Sequence, residues 1–303
     1  MKVIRAKVLG FCMGVRRAVD IAIREATCAA KATCAKESGS SVCTLGPLVH
    51  NPKVSADLEA LGIHSIDESS LTVHGSALCE SVIIRAHGIN PVTEHKLRKE
   101  GYRIIDATCP HVKKNQLKIQ ELSNAGFRLF IAGEAEHAEI KGLLGYCEDS
   151  PFCEVTGSAD EAREKAAVLY RKNRDAKTAL LGQTTISEEE YKNIGEEIKK
   201  YFPDLQIIQT ICAATSDRQN ALHELLLQCD AVIVAGGKES ANTRRLFSIA
   251  QQSGKPCALM EDAAQIPDSF LKHETVGICA GASTPDSVIE DIEQELIRIS
   301  HLA

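Results

Sequence analysis

VLGFCMGVRRA (residues 8–18), IIDATCPHVKK (104–114) and IIQTICAATSDRQ (207–219) decide how the rest of the chain is read. In each, an apolar, strand-like run ends in a cysteine: Cys12, Cys109 or Cys212. Each then passes into a helix-like segment with basic residues: Arg16 and Arg17, Lys113 and Lys114, or Arg218. The cysteines stand 97 and 103 residues apart, about the size of one small domain. A near-regular repeat of that period predicts three similar α/β units, each presenting one thiol at a strand end. Open α/β units bind ligands at the carboxyl ends of their strands, beside helix N-termini. A helix N-terminus also favours the thiolate, the form that binds metal. Spacing alone leaves two readings open. The thiols are small core residues of a repeated fold, or they are three ligands of a metal site that keeps one position open, unlike a closed four-ligand structural zinc site.

Composition narrows the function classes. The chain has 303 residues, enough for two or three domains with cores of their own. A net charge of −6 argues against a nucleic-acid or anionic-membrane binder, so an anionic ligand has to be met by local features. Twelve cysteines are too few for a disulfide scaffold of this length, and no CxxC occurs. MKVIRAKVLGF is interrupted by Arg5 and Lys7 and lacks the apolar core of a signal peptide. No apolar run approaches the ~20 residues of a membrane span. These features predict a cytoplasmic protein with reduced thiols. Cysteines 28, 34, 43, 79, 147, 153, 229, 257 and 279 share no context, and most of them read as packing residues with some liability to oxidation.

Strand-like and helix-like segments alternate with short loops, which implies parallel sheets. Helical periodicity runs from Val15 to about Cys34, and KESGSS reads as a loop. Further helices are expected over 158–172, 187–202 and 215–228. Thr284 reads as the N-cap of the last helix, with Pro285 at its first position. Polar residues gather where apolar strands end: His50 (LVHN), His87 (RAHG), His137 and Glu139 (EHAE), Gln183, Thr184 and Thr185 (GQTT), Ser240 to Asn242 (ESAN), and Ser283 (GAST). Singly, each reads as a cap or a satisfied structural residue. Their shared placement at strand ends, together with the cysteines, points to one site. AGGKES does not fit the phosphate-binding P-loop pattern and reads as an ordinary turn.

GFCMGV, DATCP and TIC-x-AT-x-x-RQ resemble the three cysteine motifs of the 4-hydroxy-3-methylbut-2-enyl diphosphate (HMBPP) reductases, and the resemblance covers almost the whole chain. It implies three similar small α/β domains with mostly parallel sheets, in a pseudo-threefold cloverleaf around a central iron–sulfur cluster. The domains would be 14–109, 110–209 and 210–303, with segment 1–13 packing on the third. Cys12, Cys109 and Cys212 would hold a 4Fe-4S cluster with one iron lacking a protein ligand. The reaction would convert an allylic alcohol bearing a diphosphate to isopentenyl and dimethylallyl diphosphate, the last step of the non-mevalonate isoprenoid pathway.

The resemblance assigns diphosphate binding to His50, His87, Ser240, Asn242 and Ser283, with His137, Gln183 and Thr184 also at the substrate. Hydroxyls, amides, imidazoles and helix N-termini are the donors that a diphosphate needs. Hydroxide is a poor leaving group and requires protonation, coordination to a Lewis acid, or both. Glu139 is the candidate proton source, with Thr184 completing a relay. The family usually has Ser-Ser-Asn where this chain has Ser240, Ala241 and Asn242, so at most one hydroxyl contact is lost. No flavin or dinucleotide fingerprint is present, which implies an external electron donor of ferredoxin or flavodoxin type. Neither nucleic acid nor membrane is expected as a partner. Quinolinate synthase, the diphthamide-forming radical enzymes, a hydro-lyase and a cluster-bearing sensor are the rival readings. AHG, EHAE and GQTT argue against the first two, turnover without any reductant would favour the third, and the last leaves the polar residue set unexplained.

Overall fold

A computed structural model describes residues 1–33, 41–67, 79–147, 150 and 152–301. Cys34 and most of the KESGSS loop lie outside them. The described residues contain three four-stranded sheets in which every pairing is parallel. One joins β1 (Lys2–Arg5) to β12 (Thr275–Ala280), β10 (Ala231–Ala235) and β11 (Cys257–Met260), in that order. A second has the order β3 (His64–Ile66), β2 (Val42–Leu45), β4 (Ser81–Ile84), β5 (Arg103–Asp106). The third has the order β7 (Cys153–Thr156), β6 (Arg128–Ala132), β8 (Thr178–Gly182), β9 (Gln206–Ile207).

All three sheets share one plan. Taken in chain order within a unit, the strands lie second-first-third-fourth across each sheet, and in the sheet of β10 the fourth place is filled by β1. The parallel α/β class expected from the alternating pattern is therefore present three times. Within the sheets, crossovers are made by α2 (Pro52–Ala60), α3 (Pro91–Lys99), α5 (Ala138–Leu144), α6 (Ala159–Lys172), α7 (Glu188–Lys199) and α9 (Ala241–Gln252); α1 (Met13–Thr33), α4 (Pro110–Asn124) and α8 (Ala213–Leu226) lead from one sheet to the next, and α10 (Asp286–Ser300) follows the last strand. No helix among the described residues is long and apolar enough to cross a membrane.

The chain forms two compact units. One consists of Met1–Ile23, Pro47–Ile63 and Ala213–Ala303 and holds the sheet of β1. The other consists of Arg24–Gly46 and His64–Cys212 and holds the remaining two sheets. The central strands AVIVA (β10), RLFIA (β6) and TALLG (β8) are apolar throughout because helices cover both faces of their sheets. On β6, Phe130 packs with Ala162 and Ala166 of α6 and Ile194 and Ile198 of α7. Leu129 and Ile131 face the other way, toward Ile119 and Leu122 of α4 and Ile140 and Leu143 of α5. On β10, Ile233 packs with Ile292 and Leu296 of α10, and Val232 and Val234 with Leu222 and Leu225 of α8. Fully burying each such aliphatic chain contributes about 1.5–3 kcal/mol.

Two local expectations shift. The strands before the cysteines end at Arg5, Asp106 and Ile207, so each thiol stands in an extended loop past its strand. Thr284 does not cap α10. Pro285 occupies the cap position, and the Thr284 hydroxyl instead donates to the Ala235 carbonyl at the end of β10 (3.0 Å). A fully buried hydroxyl gains more from that bond than from a cap open to water.

Candidate active site

The shared sheet plan places the polar motifs by rule. LVHN, EAEHAE and GGKESAN follow the first strand of their sheets, β2, β6 and β10; RAHG, GQTT and GAST follow the third strand, β4, β8 and β12; the cysteine loops follow the fourth. First and third strands are neighbours, and in the sheets of β2 and β6 their crossovers leave in opposite directions, the switch point at which open α/β sheets bind ligands.

Backbone hydrogen bonds tie each cysteine to a third-strand loop. The Cys109 N–H donates to the Ala86 carbonyl (2.9 Å), next to His87. The Cys212 N–H donates to the Thr184 carbonyl (3.0 Å), and the Cys12 N–H to the Ala282 carbonyl (3.0 Å), next to Ser283. All three thiols are half-buried, and none is in a disulfide. Each directly precedes a helix, α1, α4 or α8. The Val15 N–H points at the Cys12 sulfur (3.4 Å). Burial pushes the thiols of Cys229 and Cys279 up, as for residues kept protonated in a core.

In the unit of Cys109 and Cys212, His87 and His137 stand edge to face with ring centroids 5.3 Å apart. His87 is followed by Gly88, whose φ of +72° favours glycine and where a Cβ would lie 2.3 Å from the Gln116 side-chain nitrogen. His137 caps α5: its Nδ1 accepts from the Glu139 N–H (3.2 Å), which leaves the proton of the neutral ring on Nε2. Glu139 is 1% exposed. Its carboxylate accepts from both the Thr184 N–H (2.8 Å) and the Thr184 hydroxyl (2.7 Å). Burial pushes its pKa up to about 7, against the lowering effect of those two bonds. Gln183 is engaged in support: its carbonyl accepts from the Glu134 N–H (3.0 Å), and its amide donates to the Thr185 hydroxyl (2.7 Å).

In the unit of Cys12, Asn51 caps α2 through the Lys53 and Val54 N–H groups, with Pro52 at the first position, and this places His50 just before the helix. The Ser283 hydroxyl donates to the His50 carbonyl (3.3 Å). Gly237, read from the sequence as part of an ordinary turn, is required here: a Cβ would lie 2.5 Å from the same carbonyl. Ser240 caps α9, its hydroxyl accepting from the Thr243 N–H (3.4 Å). Ala241 begins that helix and is 7% exposed. Asn242 is 4% exposed, and neither its side-chain oxygen nor its nitrogen has a hydrogen-bond partner among the described residues. An orphaned buried amide is costly unless a ligand completes it.

Comparison with known proteins agrees with the motif resemblance. The family described as LytB protein matches residues 3–297. A 4-hydroxy-3-methylbut-2-enyl diphosphate reductase of Treponema denticola is 40% identical over 297 residues, 98% of this chain and 99% of its own length. One from Aquifex aeolicus is 36% identical, covering 98% of this chain and 96% of its own length. A solved (E)-4-hydroxy-3-methyl-but-2-enyl diphosphate reductase, described as the terminal enzyme of the non-mevalonate pathway, is 35% identical with a TM-score of 0.67, covering 98% of this chain and 100% of that one. The solved E-1-hydroxy-2-methyl-but-2-enyl-4-diphosphate reductase of Plasmodium falciparum is 25% identical with a TM-score of 0.82, covering 98% of this chain and 87% of that one.

Proposed function

This chain belongs to the LytB protein family of 4-hydroxy-3-methylbut-2-enyl diphosphate reductases, and from that membership we propose how its own residues divide the work. It is an oxidoreductase. HMBPP takes up two electrons and two protons, loses its hydroxyl as water, and yields isopentenyl or dimethylallyl diphosphate, the terminal step of the non-mevalonate pathway. The observation that supports the assignment of residues most directly is the set of three backbone bonds that tie Cys109, Cys212 and Cys12 to the loops of His87, Thr184 and Ser283.

Cys12, Cys109 and Cys212 are proposed as the ligands of a 4Fe-4S cluster. The donor set fits: three half-buried thiols outside any disulfide, each at a helix start where backbone N–H groups favour thiolate. When bound, such a cluster with one iron lacking a protein ligand supplies the electrons and a Lewis-acid position for the hydroxyl. The electrons are proposed to come from an external donor of ferredoxin or flavodoxin type, since the sequence carries no dinucleotide fingerprint. The sheet plan, with β1 as the fourth strand beside β12, supports reading the domains as 14–109, 110–209 and 210–303 with 1–13 joining the third.

The diphosphate is proposed to bind His50, His87, Ser240, Asn242 and Ser283, with His137 offering its Nε2–H. Asn242 gains the partner that its buried amide otherwise lacks. Glu139, held protonated up to about pH 7, passes its proton to the Thr184 oxygen while the Thr184 hydroxyl proton moves on to the leaving oxygen. Gln183 fixes the loop that carries Thr184.

The test of the diphosphate assignment is thermal shift and turnover in the Asn242→Ala protein. KM is expected to rise by roughly tenfold or more, since a hydrogen bond to a charged group is worth about 1.5–3 kcal/mol. An unchanged KM with unchanged folding removes Asn242 from the substrate. Ala241→Ser, which adds a hydroxyl at the start of α9, is expected to fold normally and to leave KM unchanged or lowered by up to about tenfold. A large rise in KM would mean that this loop does not face the phosphate.

A further inference from the structure

The three cysteine loops are held in place by different means, and two of them depend on side chains that neither bind substrate nor ligate metal. Aligning the chain on its cysteines puts KNQ (114–116) opposite DRQ (217–219): Asn115 and Arg218 each lie six residues after their cysteine, and each is followed by glutamine. Both lie in the second turn of a helix, α4 and α8, and both are buried, at 5% and 4% exposure. The Asn115 amide donates to the Thr210 carbonyl (3.4 Å), two residues before Cys212. The Arg218 Nη2 donates to the Gly10 carbonyl (2.6 Å), two residues before Cys12, while its Nη1 donates to the Ala214 carbonyl (2.7 Å) in the first turn after Cys212. The same offset recurs in both cases: the sixth residue after one cysteine reaches the carbonyl two residues before another.

Position 18, the sixth after Cys12, is alanine and has no donor to offer. The remaining loop, before Cys109, supplies its own restraint. Asp106 accepts from the Thr108 N–H (2.9 Å), a local turn that LGF before Cys12 and QTI before Cys212 lack the aspartate to make. A loop without a local turn has more conformations to lose, and a long-range donor onto its carbonyl restricts it instead. Gly10, with φ +75° and a Cβ position only 3.0 Å from the Asp286 carboxylate, already packs closely, so fixing its carbonyl fixes the approach to Cys12.

We infer that Asn115 and Arg218 are positioning residues, Asn115 for the loop that presents Cys212 and Arg218 for the loop that presents Cys12. Their worth to the enzyme rests on the assignment of these thiols as cluster ligands. The geometric role does not, and the two are measured separately. In the metal-free protein, Arg218→Met is expected to speed maleimide labelling of Cys12 at least fivefold, and Asn115→Ala that of Cys212, with Cys109 unchanged in both. In anaerobically reconstituted protein, both variants are expected to release iron to a chelator at least tenfold faster than wild type. Arg218→Lys, which keeps one donor, should return most of the way. Ile119→Val, which removes a buried methyl group elsewhere on α4, serves as the control for general destabilisation and should release iron within twofold of wild type. If Arg218→Met does not fold, Asn115→Ala against Ile119→Val decides. Folded variants with wild-type labelling at Cys12 and Cys212 overturn the inference. Wild-type protein that takes up no iron, together with the expected labelling pattern, overturns the ligand assignment and leaves the braces standing.

Discussion

Replacing Glu139 by glutamine is expected to lower kcat by roughly 10²–10⁴ while substrate still binds, the usual contribution of a positioned proton donor. Glutamine keeps the size of the side chain. Its oxygen can still accept from the Thr184 N–H, and its amide can donate to the Thr184 oxygen, so both bonds that hold the carboxylate have a replacement. What it cannot do is deliver a proton. If Glu139 served only as an acidic residue in the first turn of α5, the substitution would cost about 0.3–1 kcal/mol of stability and leave turnover nearly intact. The pH profiles separate the two roles further. The folded carboxyl titrates near 7, against 4.5 for an ordinary glutamate. If the acid form is the working form, kcat of the wild type falls as pH rises through about 7. Stability follows the same sign: a raised folded pKa means that the contribution is fully present below about 4.5 and is lost as pH rises toward and through 7. The variant has no such loss, so its Tm should gain on the wild type between pH 5 and pH 8. Near-normal kcat in the glutamine variant would remove Glu139 from the mechanism.

Serine in place of Cys12, Cys109 or Cys212 is expected to abolish activity and deplete iron, each by itself. A hydroxyl is not ionised at neutral pH and cannot take the place of a thiolate ligand. The controls are Cys28→Ser, Cys147→Ser and Cys229→Ser. Cys28 is exposed, and Cys147 and Cys229 are buried in apolar clusters. These three variants should keep the cluster's absorption spectrum. Loss of the spectrum in one of the controls would break the assignment of ligands, even if all three of the first group were dead.

The positions of the site residues were legible because parallel sheets write strand ends plainly: an apolar run such as SVII or AVIVA stops, and the next polar residue is at the carboxyl edge. His87, Thr184 and Ser283 could be found that way. The role of β1 beside β12 was not legible from pattern, because a fourth strand supplied from the other end of the chain leaves no local trace. It entered only through the family resemblance. IIQTIC is largely apolar up to the cysteine, yet β9 covers only two residues, because the Cys212 N–H bonds to the Thr184 carbonyl in place of continuing a ladder. His64–Ile66 is a three-residue edge strand between a polar helix and polar sequence, too short for alternation to mark. The reach of Asn115 to the Thr210 carbonyl shows only when the chain is aligned against itself on its cysteines, which sets Asn115 opposite Arg218. The raised pKa of Glu139 depends on what surrounds the carboxyl in space, which no spacing encodes.

Cys12, Cys109 and Cys212 are proposed to serve the two-electron reduction that removes the hydroxyl from HMBPP. The direct measurement is an anaerobic assay of the iron-loaded protein with HMBPP and a chemically reduced viologen, with substrate, products and viologen oxidation followed together. Isopentenyl and dimethylallyl diphosphate are expected in amounts that sum to the substrate consumed, with two electrons withdrawn for each and no turnover when the reductant is left out. Consumption of HMBPP without a reductant, or iron-loaded protein that oxidises no viologen in its presence, would contradict this proposal.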